Sequence, residues 1–341
     1  MTAIHVPPHE MLETFDGINV AAPMVRYSKL PFRHLVSRHE CHITHTPMIL
    51  ASEFSRSSNA RLSDFSTSVN ERGSFLLVEK RSSGPSEESE IGVAAPRRHL
   101  VRGSLIAQFA ANDPRTFADA VELIFPYVDG VDLNCGCPQE WAYKEQIGCW
   151  LLRKPDTVRD IIRAAKARVG SSFPISVKVR VDEDLKHTYN LIQTAIQAGV
   201  SHISVHGRTR HQASSIPVSL PSIAFAVEAA NGAVPIVANG DAWSLTEAEN
   251  IREATKASGV MSARGLLANP ALFEGHLLTP PKVIQEFVQL ATDYGLLFPL
   301  FHRHLGYMLE ARFTRQEHNY FNSLGSCAGV IDHLRSRGLE W

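Results

Sequence analysis

Apolar and polar positions alternate along this chain in blocks rather than residue by residue. Short β-branched or apolar runs without helical period recur at Asn19–Pro23, His42–Met48, Leu105–Ala110, Val131–Asn134, Ile175–Arg180, His202–His206, Pro235–Asn239 and Gly259–Ala263. Runs of that kind predict strands covered on both faces. Between them lie amphipathic stretches of helical length, among them Pro114–Phe125, Thr157–Val169, Leu185–Ala198 and Ser244–Lys256. Asp113-Pro114 and Asp156 are helix-start signals, and Gly170 and Gly199 are stops. Eight strands, each followed by helical or loop sequence, predict an α/β fold of the (β/α)8 TIM-barrel class. Alternation by itself also fits a doubly wound open sheet.

Two segments leave the pattern. Glu79–Arg102 contains a Ser- and Glu-rich run from Arg81 to Glu90 and is expected to form a flexible surface loop, near 80–102, just before the third strand. From about Pro280 no strand signal recurs, and Val283–Tyr294, Phe298–Phe313 and Ala328–Arg337 read as helices. The expected division is a catalytic barrel over 1–279 and a small helical C-terminal domain over 280–341.

Composition narrows the picture. The length of 341 residues suits a barrel plus an appendage, and 44% hydrophobic with 20% charged residues are ordinary globular values. No apolar run reaches membrane-spanning length, and no charged start leads into an apolar secretion signal. Five cysteines, an odd number without framework spacing, point to a reducing compartment, hence the cytoplasm and also the nucleus. A net charge of −1 rules out a globally basic surface, so any RNA contact must be a local patch.

The chemistry gathers at the strand ends, where a barrel builds its active site. The fourth strand breaks at Gly136 and Pro138 and delivers Cys137 into a loop, after Asn134 and Cys135. Cys137 is the candidate thiol acid or nucleophile. C-x-C with a distant Cys149 lacks the paired spacing of a structural zinc site, so no metal is expected. Asn239-Gly240-Asp241 and Ala263-Arg264-Gly265 close the seventh and eighth strands. Each alone is a βα turn that uses glycine for geometry, but side by side they read as a phosphate site. Lys178 lies in an otherwise apolar strand, where a cation needs an anion, either a cofactor's or a strand-end partner's. Gln108 offers an amide to a ring's donor and acceptor edge. His206 gains weight from the Gly207-Arg208-Thr209 that follows it.

These motifs occur in a known order. The chain resembles the tRNA-dihydrouridine synthases through Ala22-Pro23-Met24-Val25, Leu30-Pro31-Phe32-Arg33, Gln108, Asp132-Leu133-Asn134-Cys135-Gly136-Cys137-Pro138, Val177-Lys178-Val179-Arg180, His206-Gly207-Arg208-Thr209, Asn239-Gly240-Asp241 and Ala263-Arg264-Gly265. The short helical tail matches too, and the form of the cysteine motif resembles the eukaryotic branch acting at tRNA positions 20a and 20b. The resemblance implies FMN at the barrel rim, with Pro23, Met24 and Val25 beside the flavin. Gln108 would bond its pyrimidine edge, and Lys178 would sit near its reducible end. His206, Asn239, Gly240, Asp241, Ala263 and Arg264 would complete the ring and phosphate contacts. It further implies NADPH or NADH as reductant, a hydride delivered to C6 of an unstacked uridine, and Cys137 as the acid at C5. Asn134 and Arg208 would contact the uracil. A monomer with tRNA as partner is expected.

The chain departs from the family pattern in three places, the first being the Ser/Glu-rich run at 81–90, which reads as an insertion. Gly148 is followed by Cys149 and the bulky Trp150 where smaller residues are expected. The loop after Thr209, Arg210-His211-Gln212-Ala213, lacks the fuller family sequence. From Phe301 onward five arginines face four acidic residues, a thin basic surface for tRNA. A small-molecule flavin oxidoreductase of dihydroorotate dehydrogenase type and a non-catalytic RNA-binding barrel are the alternatives. The first does not explain Cys-Gly-Cys-Pro together with His-Gly-Arg-Thr, and the second does not explain Cys137 and Lys178.

Overall fold

A computed structural model describes residues 2–80 and 95–339, so the predicted Ser/Glu-rich run at 81–90 lies outside the described residues. Eight parallel strands close on themselves: β1 Ile18–Ala21, β2 Ile43–His45, β3 Ser104–Ala110, β4 Gly130–Cys135, β5 Ile175–Arg180, β6 Ile203–His206, β7 Ile236–Asn239 and β8 Gly259–Ser262. Each pairs with its sequence neighbour, and β8 against β1 completes the ring, which makes this a TIM barrel rather than an open sheet. β2 stops at His45, short of the predicted Met48, because Pro47 has no N–H to give the ladder.

Local signals explain most of the helix ends. Asp113 accepts the Thr116 N–H at 2.8 Å and starts Pro114–Ile124. Gly199, at φ +90°, ends Leu185–Ala198. Asp156 does not cap its helix: Pro155 already occupies the first turn of Pro155–Val169, and Asp156 follows it as an acidic first-turn residue.

The region predicted as loop over Glu79–Arg102 is corrected at its end. Arg98–Arg102 is a strand, antiparallel to Ser74–Val78 and parallel to Ile4–His5. With helix Pro8–Thr14 this small sheet closes the end where the barrel strands begin. Met11, Phe15, Phe75 and Val101 pack there against Ile18, Val20, Val237 and Met261. Gly259 makes the close approach possible, since a Cβ would lie 2.6 Å from Leu12. The opposite end, where strands finish, stays open.

The C-terminal segment is helical as expected, over Pro281–Asp293, Phe298–Leu309, Arg315–Ser323 and Cys327–Ser336. The third of these was not anticipated, although Thr314 and Glu317 form a capping box at its start. These helices share the barrel's core through the fully buried helix Leu30–Val36, with His304 stacked on Phe32 at 4.8 Å. Arg33 on that helix is buried against Glu71 at 2.7 Å and also donates to the carbonyls of Ser28 and Ser66. The pair thereby anchors the loop leaving β1. Breaking a buried pair leaves an uncompensated charge, so Glu71→Ala is expected to lower unfolding free energy by about 3–5 kcal/mol in denaturant titration. A loss under 1 kcal/mol would show the pair to be dispensable.

Candidate active site

Alternate residues of β3, β4 and β5 point into the barrel, and there they form one hydrogen-bonded chain. Ser176 Oγ donates to Asp132 Oδ1 at 2.7 Å, and Gln108 Nε2 donates to Asp132 Oδ2 at 2.8 Å. Asn134 Nδ2 donates to Gln108 Oε1 at 2.8 Å. Asn134 Oδ1 then accepts the N–H of Gly136 at 3.1 Å and of Cys137 at 2.8 Å. The direction of the chain has a cause: ionised Asp132 can only accept, so it turns the Gln108 amide nitrogen toward itself and leaves the oxygen for Asn134.

Burial raises the Asp132 carboxyl from 3.8 to about 6, against the lowering effect of Gln108, Ser176 and Lys178. A raised folded pKa means that the folded protein holds the proton longer, so this group's contribution to stability falls as pH rises between those values. Relative to Asp132→Asn, wild-type unfolding free energy is expected to drop by about 3 kcal/mol from about pH 4 to about pH 7. A pH-independent difference would contradict the buried ionisation.

Three further contacts hold the cysteine loop. Arg180 Nε donates to the Gly136 carbonyl and Nη1 to the Thr209 carbonyl, each at 3.0 Å. The Cys149 N–H donates to the Cys137 carbonyl at 3.0 Å. Gly148, at φ +64°, could not carry a side chain, because a Cβ would stand 2.7 Å from Cys137 O and 2.8 Å from Cys137 Cβ. Cys137 is half-buried, and burial lifts its thiol above the ordinary range although Arg180 and Lys178 pull it down. The thiol is therefore neutral at physiological pH. Cys135 points into the hydrophobic core as a small apolar residue, and Cys149 is buried with its thiol pushed up to about 12.

Lys178 stands beside Asn134 on the neighbouring strand. Among the described residues its ammonium makes no hydrogen bond or salt bridge, and burial together with Arg180 lowers it from 10.5 to about 8. His206 is held neutral, its pKa driven down to about 2 by burial and by Lys178, Arg180, Arg208 and Arg264. Arg208 Nη1 donates to His206 Nε2 at 3.2 Å, which places the imidazole proton on Nδ1.

The ends of β6, β7 and β8 surround a cavity of about 220 Å³ whose lining includes His206, Arg208, Asn239, Gly240, Asp241, Ala263 and Arg264. Asp241 holds both arginines, accepting from Arg208 at 2.5 Å and from Arg264 at 3.0 Å. Asp241 thereby orients both guanidinium groups at the cavity. Arg208 is 3% exposed and also donates to the Ile216 and Ser214 carbonyls. It stands in this cavity's wall, and Asn134 stands beside Cys137 with its oxygen already committed. On the β1 side Pro23 and Met24 are half-buried, while Val25 is 54% exposed on a tight turn closed by Tyr27 and Ser28 N–H bonds to the Met24 carbonyl.

Three contributors were missed from the sequence. Asp132 and Arg180 each lie two residues from a chosen residue on the same strand, so strand parity alone marks them as inward. Trp243, 45% exposed with the Arg264 guanidinium 5.1 Å from its ring, carried no recognisable signal. The donor set fits an anionic planar group: an unpartnered cation at Lys178, one free N–H on Gln108 and two arginines around a cavity. Among the described residues no group of three or more His, Cys, Asp or Glu could hold a metal, and no helix is long and apolar enough to cross a membrane.

The closed parallel ring places this chain among the (β/α)8 barrels, with a neutral thiol and, among the described residues, an unpaired lysine at its rim. Within that class the match is specific: the family model described as dihydrouridine synthase (Dus) covers residues 20–327, and the chain belongs to that family. It is 43% identical over 331 residues to a Homo sapiens protein named as a tRNA-dihydrouridine(20a/20b) synthase, NAD(P)+-like, covering 96% of this chain and 93% of that one. It is 41% identical over 317 residues to the Schizosaccharomyces pombe tRNA-dihydrouridine(20a/20b) synthase, covering 93% and 86%. Among solved structures it is similar to a morphinone reductase variant at TM-score 0.46 and 9% identity, covering 75% and 85%.

Proposed function

We propose that this protein reduces the C5=C6 bond of uridine in the tRNA D-loop, at positions 20a and 20b, with bound FMN and with NADPH or NADH as reductant. The observation that carries the reading is the neutral Cys137 thiol held on a braced loop beside the unpartnered Lys178. The family membership and the names of the relatives support the substrate, the positions and the nicotinamide reductant.

FMN supplies the hydride when bound. Lys178 gives that cofactor's negative charge a cation already in place, and Gln108 gives its ring an amide N–H. Arg264 and Arg208 would hold its phosphate, with His206 as a neutral donor through Nδ1, and Pro23, Met24 and Val25 would line its site on the β1 side. A uridine must leave its stack to reach this depth. Cys137 then donates its proton to C5, and the resulting thiolate is stabilised by the same Lys178 and Arg180 that lower the thiol's pKa. Asn134 keeps one amide N–H for a uracil carbonyl.

The test is to load the purified protein with FMN, supply NADPH and unmodified tRNA, and map dihydrouridine by position. The expected result is reduction at 20a and 20b. Reduction confined to other uridines would overturn the assigned positions, and none at all would overturn the reading.

A further inference from the structure

The segment that carries Trp150 and the loop that carries Arg210-His211 meet in space. Trp150 and Arg210-His211 line the same cavity, about 250 Å³, together with Tyr143, Asp182 and Glu183. It lies between the loops that follow β4, β5 and β6. Its walls are those of the catalytic loop: Cys149 donates to the Cys137 carbonyl, and Arg180 ties the Gly136 carbonyl to that of Thr209. None of the residues proposed above for cofactor or uridine lines it.

We propose that this cavity is a subsite for the nucleobase next to the reduced uridine, which rests on the tRNA reading above and extends it to the neighbouring nucleotide. The first support is the surface it offers. The Arg210 guanidinium lies 3.5 Å from the centre of the Tyr143 ring, and that ring is 38% exposed. A flat base continues such a stack, because guanidinium planes and aromatic faces are the usual platforms for unpaired bases. The second support is the supply of acceptors. Arg153 and Arg210 balance Asp182 and Glu183 in the lining, and the carboxylates offer oxygens to the amino or imino N–H of a base. Asp182 is held by Arg153 through two bonds of 2.9 Å, so its position is set. The two sources of a heterocycle at this rim are the RNA strand and the dinucleotide reductant. The strand is favoured by the cavity's contact with the Cys137 loop, and a separate readout of the NADPH step tells the two apart. The third support is continuity. A uridine extruded toward Cys137 drags its neighbour out of the stack, and the adjoining loop receives it.

The experiment is a double-mutant cycle on the full-length, FMN-loaded protein. Tyr143→Ala and Arg210→Ala are compared with wild type on tRNA carrying either the natural nucleotide or an abasic one beside the target uridine. Kd and kcat/KM for uridine reduction are read, and reduction of the flavin by NADPH is followed separately. In wild type the abasic neighbour is expected to cost about 5- to 100-fold, the range of one base–aromatic stack. Each variant should lose a similar factor on natural tRNA and little more on abasic tRNA. Tyr143→Phe, which keeps the ring, should retain the wild-type discrimination. Losses that multiply, or indifference of wild type to the abasic neighbour, overturn the subsite while tRNA reduction itself stands. A loss confined to the NADPH step assigns the cavity to the dinucleotide and also overturns it. Failure of wild type to reduce any tRNA overturns both readings.

Discussion

Cys137→Ala is expected to bind FMN as wild type does and to reduce uridine about 10²- to 10⁴-fold more slowly, the usual worth of a positioned general acid. The expectation follows from placement as much as from chemistry. Asn134 Oδ1 holds the Cys137 N–H, Arg180 holds the preceding carbonyl, and Gly148 leaves the space in which the loop turns. Truncating the thiol removes the proton and leaves every one of these contacts intact. The other two cysteines of the region cannot stand in, because Cys135 is in the core and Cys149 is buried. Burial raises the Cys137 thiol, so the acid stays protonated past its ordinary value of 9.0, and the rate should fall only above that pH. Single-turnover oxidation of the reduced protein by tRNA isolates this step. An unchanged rate in the alanine variant would remove Cys137 from the chemistry.

Lys178→Met should divide stability from function. The ammonium is lowered from 10.5 to about 8, so charging it costs more in the folded, cofactor-free protein than in the unfolded chain. That penalty is complete below about pH 8 and disappears as pH rises toward the unfolded value. Removing the cation is therefore expected to stabilise the cofactor-free protein at pH 7 by at most about 3 kcal/mol, less whatever water reaches its partly open tip. The same change should slow uridine reduction about 10²- to 10³-fold, because a preorganised charge at the reacting centre is lost. The gain should shrink when denaturation is repeated near pH 10. A variant that is both less stable and fully active would mean that Lys178 is a structural cation.

Much of this was legible in the chain. The eight barrel strands could be read because burial on both faces leaves short, largely apolar runs, and their count pointed to a barrel, which the pairing of β8 with β1 established. Cys137, Lys178, Arg264 and Asn239 could be read because polar groups at the ends of such strands have few structural reasons to be there. Arg98–Arg102 could not, since a short strand of basic and apolar residues in a small sheet outside the barrel has no distinctive pattern, although it is the central strand of that sheet. The helix Arg315–Ser323 was written in its Thr314–Glu317 capping box and passed over.

Sequence by itself determined the order of the barrel strands, the family and most of the candidate side chains, because each is written in short motifs of neighbouring residues. Tertiary structure alone decided what those side chains hold. Asn134 turns out to brace the Cys137 loop, Asp241 to clamp two arginines, and Arg208 to lie in the cavity wall. Gln108 meets Asp132 across 24 residues, and Arg180 meets Gly136 across 44. Those meetings are set by the register in which the closed barrel aligns neighbouring strands, and no local pattern encodes a register.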